Sequence, residues 1–204
     1  MTGPSDRTPS LNRAGASAVE AFLDRARKTP VVGADGRGRL IFALDATMSR
    51  QPTWDLAQSL QGKMFEIAAS LGGLDVQLVY FRGFAECKAS RFVSGGQGLG
   101  DLMRGIDCRG GHTQIGKVLA HVRAETGRAR VGAFVLVGDA MEERLDDLAQ
   151  VAGELGLLGV KGFLFHEGAD PEAGRAFREI ARLTGGAYAA FDASAPKRLA
   201  ELLE

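Results

Sequence analysis

Cysteine is nearly absent from this chain of 204 residues: only Cys87 and Cys108 occur, without CxxC spacing or a histidine pair beside them. That excludes a disulfide framework and a finger-type zinc site, and it fits two free thiols in a reducing compartment. An excess of one charge is also lacking, since 25 Lys and Arg balance 25 Asp and Glu. No stretch clusters basic residues with interleaved aromatics, so a phosphate backbone is not an expected partner. No run approaches the roughly 18 apolar residues of a membrane-spanning helix, and the polar start from Met1 to Arg13 has no apolar core of a leader. These absences give the expectation of a soluble, cytoplasmic protein without a membrane partner. Internal repeats of solenoid length are missing as well.

What is present is enough apolar sequence, 45% of the chain, to bury one sizeable core. The expected organisation is a disordered tail over 1–13 and a single domain over 14–204. The tail has too little apolar surface to offset the cost of ordering it. Ser17 and Glu20 stand at capping-box spacing, and Val19, Phe22, Leu23 and Ala26 follow at helical period, which predicts a helix over 14–28 before Pro30. Strands are predicted at 40–44, 74–81, 131–137, 160–165 and 188–191, with a short edge strand within 84–93. Helices are predicted between them: from Pro52 to the glycines at 72 and 73, around 102–105, over 114–126, through Leu145, Leu148, Ala152 and Leu155, over 173–183, and after Pro196.

The runs 40–44 and 131–137 are apolar along their whole length, the pattern of strands buried on both faces. Alternating with helices, they imply a doubly wound, mostly parallel α/β sheet with helices on both faces. The run 74–81 alternates Asp75 and Gln77 with apolar residues and is expected nearer an edge.

In such sheets the functional crevice lies beyond the carboxyl ends of the strands. The first strand ends in Asp45-Ala46-Thr47-Met48-Ser49, and the run 131–137 ends in Gly138-Asp139. Thr113 stands in Gly110-Gly111-His112-Thr113, directly before a helical pattern. Two carboxylates and three hydroxyls thus share one rim. Hard oxygen donors suit Mg²⁺, which takes one or two protein carboxylates and keeps open positions. With at most two protein charges against it, the ion stays electrophilic toward an anionic oxygen from outside. Singly, each residue has a plainer role: Ser49 and Thr113 as helix caps, Asp139 as a turn residue. His112 reads as a solvated loop residue, Trp54 as core in preference to an exposed anchor beside the metal, and Glu142 with Glu143 as acids that begin a helix near its positive end or else tune charge at the rim. The glycines at 33, 36 and 38 precede a strand instead of following it, so they are not a dinucleotide fingerprint.

Taken together, these motifs resemble the von Willebrand factor type A (VWA) domain, in its stand-alone bacterial type, and its metal-ion-dependent adhesion site (MIDAS). Asp45, Thr47 and Ser49 match D-x-S-x-S, Thr113 in GGHTQIG matches the threonine loop, and Asp139 in LVGDAMEE matches the final aspartate. The one departure is Thr47 in place of Ser, which keeps the hydroxyl and adds a methyl. The resemblance covers residue 40 to the C-terminus. It implies a six-stranded sheet in the order 3-2-1-4-5-6 with one antiparallel edge strand. It also implies a binding module in which Mg²⁺, or Mn²⁺ or Ca²⁺ in its place, captures an Asp or Glu of a partner protein. Bacterial members of this type often work beside AAA+ ATPases or stress-response components. The competing reading is a Mg²⁺-dependent phosphatase or phosphotransferase with Asp45 as nucleophile. Such enzymes need a second Asp two residues on, where this chain has Thr47.

Overall fold

The uninterrupted apolar run that begins at Leu40 lies in the middle of the sheet. Strand β1 (Gly38–Asp45) pairs in parallel with β2 (Leu74–Arg82) on one side and with β5 (Ala133–Gly138) on the other. Successive side chains point to opposite faces, and Ile41, Phe42, Ala43 and Leu44 are all buried because both faces are covered. The computed structural model describes residues 37–55, 58–59, 74–94 and 102–191. The tail over 1–13, the helix expected over 14–28, most of the helix expected after Pro52 and the helix expected after Pro196 lie outside the described residues.

Beyond β5 the sheet continues with β6 (Lys161–Glu167) and β7 (Ala187–Phe191), both parallel. At the other edge two short segments, β3 (Glu86–Ala89) and β4 (Val93–Ser94), run antiparallel to β2. The order is β3-β2-β1-β5-β6-β7, with β4 also on β2. Counted as one strand, the two antiparallel pieces give the expected order 3-2-1-4-5-6. The edge breaks at Ser90, whose Oγ accepts the Leu78 amide at 3.0 Å while its own amide donates to the Leu78 carbonyl at 2.8 Å.

One expectation is corrected in part: β2 does lie next to the antiparallel edge, but its alternation does not put Gln77 in water. Gln77 is buried; its Nε2 donates to the Ser90 carbonyl at 2.9 Å and its Oε1 lies 2.8 Å from His121 Nε2. Alternation there marks satisfied interior polarity, which a hydrophobicity pattern cannot tell from exposure.

Helices α1 (Ile115–Arg128), α2 (Leu145–Leu157) and α3 (Pro171–Leu183) pack on one face. Their Val118, Leu119, Leu155, Phe177 and Ile180 share a core with Ile41, Ala43, Phe134 and Leu136. On the opposite face, Phe42, Leu44, Val135 and Phe163 pack with Trp54, Met103 and Ile106. Trp54 is a core residue, as expected: it is buried and its indole N–H donates to the Ile106 carbonyl at 3.0 Å. Because β1, β5 and β6 run parallel, the residues that follow them emerge on one rim.

Candidate metal centre

Asp45 ends β1 with no exposed surface, and its Oδ1 accepts the Thr47 amide at 2.8 Å. That bond turns the chain out of the sheet into a 3-10 turn, Met48–Thr53, and leaves the Thr47 hydroxyl 3.1 Å from that of Ser49. Thr47 occupies the cap position of this turn, yet its side chain makes no cap bond. At α1 the cap position belongs to Gln114, also without a side-chain cap bond. Neither Ser49 nor Thr113 is therefore used as a helix cap.

Three segments are joined at this rim. The Arg109 amide donates to the Ala46 carbonyl at 3.0 Å, and Thr47 forms a bridge with Arg109, which lays the 107–113 segment along the first motif. Thr113 in turn is tied to the segment after β5: its hydroxyl accepts the Glu142 amide at 3.0 Å, and its amide donates to Glu142 Oε2 at 2.9 Å. Asp139 directly follows β5, the strand paired with β1. At Gly138 an added Cβ would press on the Phe177 ring at 3.3 Å, and Asp45 Oδ2 lies 3.6 Å from the same point, so the strand end packs directly beside Asp45.

Two carboxylate oxygens here, Asp45 Oδ2 and Asp139 Oδ1, are buried and have no hydrogen-bond partner. Burial pushes the Asp45 carboxyl up from 3.8 to about 6, hydrogen bonds from Thr47 oppose this, and the neighbouring Asp139 charge adds to it. Desolvated acids with bare oxygens are costly unless a cation answers them. A hard divalent ion fits this donor set of two carboxylates and nearby hydroxyls, two of which, on Thr47 and Thr113, are buried.

Some supporting residues escape sequence reasoning. Arg50, buried, donates from Nη1 to the Asp45 carbonyl at 2.7 Å and from Nε to Glu167 Oε2 at 2.8 Å. Glu167 is the last residue of β6, so this pair ties the first motif to the end of that strand, two places from β1 in the sheet. An Arg after a strand reads as a solvated residue, and its partner lies 117 positions away. His166, beside it on β6, pairs across from Gly138, with Nδ1 3.1 Å from the Tyr188 hydroxyl.

A second correction concerns Glu142 and Glu143. They do not open their own helix, which starts at Leu145 with Asp146 and Asp147 in its first turn. Glu143 caps α1 instead, accepting the Ile115 amide at 2.6 Å and the Gly116 amide at 2.8 Å. Glu143→Ala is expected to destabilise the fold by about 1–2 kcal/mol through loss of that cap, measured by urea denaturation. A change within 0.3 kcal/mol or so would contradict it.

His112 is exposed and makes its contact with Glu142 Oε2, at 3.2 Å from Nδ1, as a loop residue. Cys108 is buried and Cys87 half-buried, both as free thiols; burial pushes Cys108 up to about 11 and raises Cys87. Neither has the character of a thiolate nucleophile.

No protein-family model matches the chain, and no curated protein matches it in sequence. Among solved structures, the SpRpn10 VWA domain is similar with a TM-score of 0.63 at 11% identity, over 81% of this chain and 93% of that one. Proximal thread matrix protein 1 from the mussel byssus, with a zinc-occupied MIDAS motif, gives 0.62 at 17% identity, over 81% of this chain and 43% of that one. The PilB minor pilin from Streptococcus sanguinis gives 0.59 at 14% identity, over 81% and 59%. The chain thus spans less than two thirds of the latter two. What these likenesses share with it is the architecture.

Proposed function

We propose that this chain, whose fold is that of a VWA domain, is a metal-dependent protein-binding module. In this reading Asp45, Thr47, Ser49, Thr113 and Asp139 hold one Mg²⁺, directly or through water, and the ion captures an Asp or Glu of a partner protein. The observation that carries it is the pair of buried carboxylate oxygens without a partner, Asp45 Oδ2 and Asp139 Oδ1, at the rim where the three segments join. Mn²⁺ fits the same donors, and Ca²⁺ fits with a larger coordination shell. A neighbour with a zinc-occupied MIDAS motif supports divalent binding by this architecture. A binding role is favoured over phosphoryl transfer because Thr47 stands where a general acid would be required, and its hydroxyl is engaged with Ser49.

The resemblance offers an AAA+ ATPase or a stress-response component as the class of partner. Residues 14–204 form the single domain in this reading, and the free thiols support a reducing, cytoplasmic setting. Among the described residues no helix is long and apolar enough to cross a membrane.

Affinity capture with the full chain tests the module. Proteins retained by the wild type in Mg²⁺ should be lost on adding EDTA and with Asp139→Ala. Retention of the same set under chelation would overturn the metal-dependent reading.

A further inference from the structure

Beside the proposed ion, the rim carries an aromatic side chain that the fold leaves uncovered. Phe84 is 77% exposed, in the turn between β2 and β3. An exposed Phe on a loose loop would mean little. This turn is held on several sides. Gly83, at φ 61°, offers its carbonyl to the His112 amide at 3.2 Å and to Gln114 Nε2 at 3.2 Å. Gln114 Nε2 also reaches the Arg82 carbonyl at 3.2 Å, and Lys117 Nζ donates to the Ala85 carbonyl at 3.2 Å.

The same contacts fix Phe84 relative to the proposed ligands. At Gly111 an added Cβ would stand 2.0 Å from the Gly83 carbonyl oxygen, so the two backbones touch with no side chain between them. The rings of Phe84 and His112 meet edge to face at 5.3 Å, and His112 adjoins Thr113. Met48, between Thr47 and Ser49, is 52% exposed on the first motif. A rigidly mounted aromatic beside a charged anchor is the usual composition of an interaction hot spot, because little ordering entropy is lost when it is covered.

We propose that Phe84, buttressed by His112, receives a bulky apolar side chain of the partner, so that the recognised segment carries an acidic residue and an apolar one a few positions apart. The proposal rests on the metal-dependent reading above and adds the second half of the recognition element. A chain covers roughly 3.3–3.6 Å per extended residue, so an apolar residue a few positions from the acid can reach a neighbouring point of the same rim. The chemistry is a cation for the carboxylate and an aromatic face for an aliphatic or aromatic neighbour.

Selection from a random peptide library displayed on phage tests this with the full chain in Mg²⁺. Wild type should enrich peptides with Asp or Glu and, a few residues away, Leu, Ile, Met, Phe or Trp. Phe84→Ser should bind the selected peptides on the order of 10- to 100-fold more weakly. Its Mn²⁺ affinity, read by calorimetry, and its melting temperature should stay at wild-type values. Enrichment of an acid with no apolar preference, or equal peptide affinity in Phe84→Ser, would overturn the Phe84 assignment and leave the metal reading standing. Absence of any chelator-sensitive enrichment by the wild type would overturn the metal reading and this proposal with it.

Discussion

Asp45→Asn is expected to raise the melting temperature of the metal-free protein at pH 7.5 and, in the same variant, to abolish the response to Mg²⁺. Asp45 is buried beside Asp139, and one of its oxygens has no partner. Burial holds its folded-state carboxyl at about 6 against an ordinary 3.8. A group raised on folding favours the folded state below its unfolded value, and that advantage is lost as pH climbs through the folded value. Above about pH 6 the ionised, metal-free site therefore carries a penalty of roughly 3 kcal/mol at most. Asn keeps the acceptor for the Thr47 amide and removes the charge. The variant should melt about 3–8 °C higher than the metal-free wild type at pH 7.5. The two should converge near pH 4, where Asp45 is protonated. Mg²⁺ at a hundredfold excess over its dissociation constant adds about 2.7 kcal/mol to the wild type. Asn should gain nothing from it. A lower-melting Asn variant would contradict the electrostatic account, and a retained Mg²⁺ increment would contradict the site assignment.

Arg50→Met is expected to be the most destabilising of the substitutions proposed, at about 3–5 kcal/mol, because it leaves Glu167 in a nearly closed site without its cation. The Arg50 side chain has no exposed surface and that of Glu167 is 12% exposed, with Nη2 and Oε2 2.7 Å apart. The guanidinium also lies over Trp54, 5.5 Å from the ring, and holds the Asp45 carbonyl, so its loss loosens the first motif as well. Arg50→Met with Glu167→Gln should recover most of the stability, since no buried charge is then stranded. Guanidinium denaturation of the two single variants and the double variant measures the coupling. A single variant that costs under about 1 kcal/mol would show the pair to be dispensable, and a double variant no better than the single would show that the stranded Glu167 charge is not the cause of the loss.

The parallel, two-sided character of the sheet could be read from the chain because β1 and β5 are continuous apolar runs between helical periods, whereas the order of its strands was implied by the resemblance and not by that pattern. Where the reading went astray, at β2, the cause was Gln77: a buried amide satisfied by Ser90 and His121 carries the same alternation as a solvated one. The five rim residues were legible because each stands at a strand end or before a helix in a recognisable order. Their supporting groups were not. Arg50 meets Glu167 across 117 positions, and Glu143 reaches the Gly116 amide from 27 positions away. Such pairings are made by the tertiary fold, and local spacing holds no trace of them.

The capping of α1 by a neighbouring loop has a bearing on how such a surface would be switched. The first amides of a helix often serve as a built-in anion receptor. Here Glu143 already occupies those at Ile115 and Gly116, while Glu142 takes the Thr113 amide before them. Asp45 and Asp139 add two further acids to the same rim. Without a cation the first amides of α1 have nothing positive left to offer an incoming carboxylate, and four acids stand beside them to repel it. Loss of the ion would therefore do more than weaken the surface: it would reverse its polarity, making a partner's release as definite as its capture.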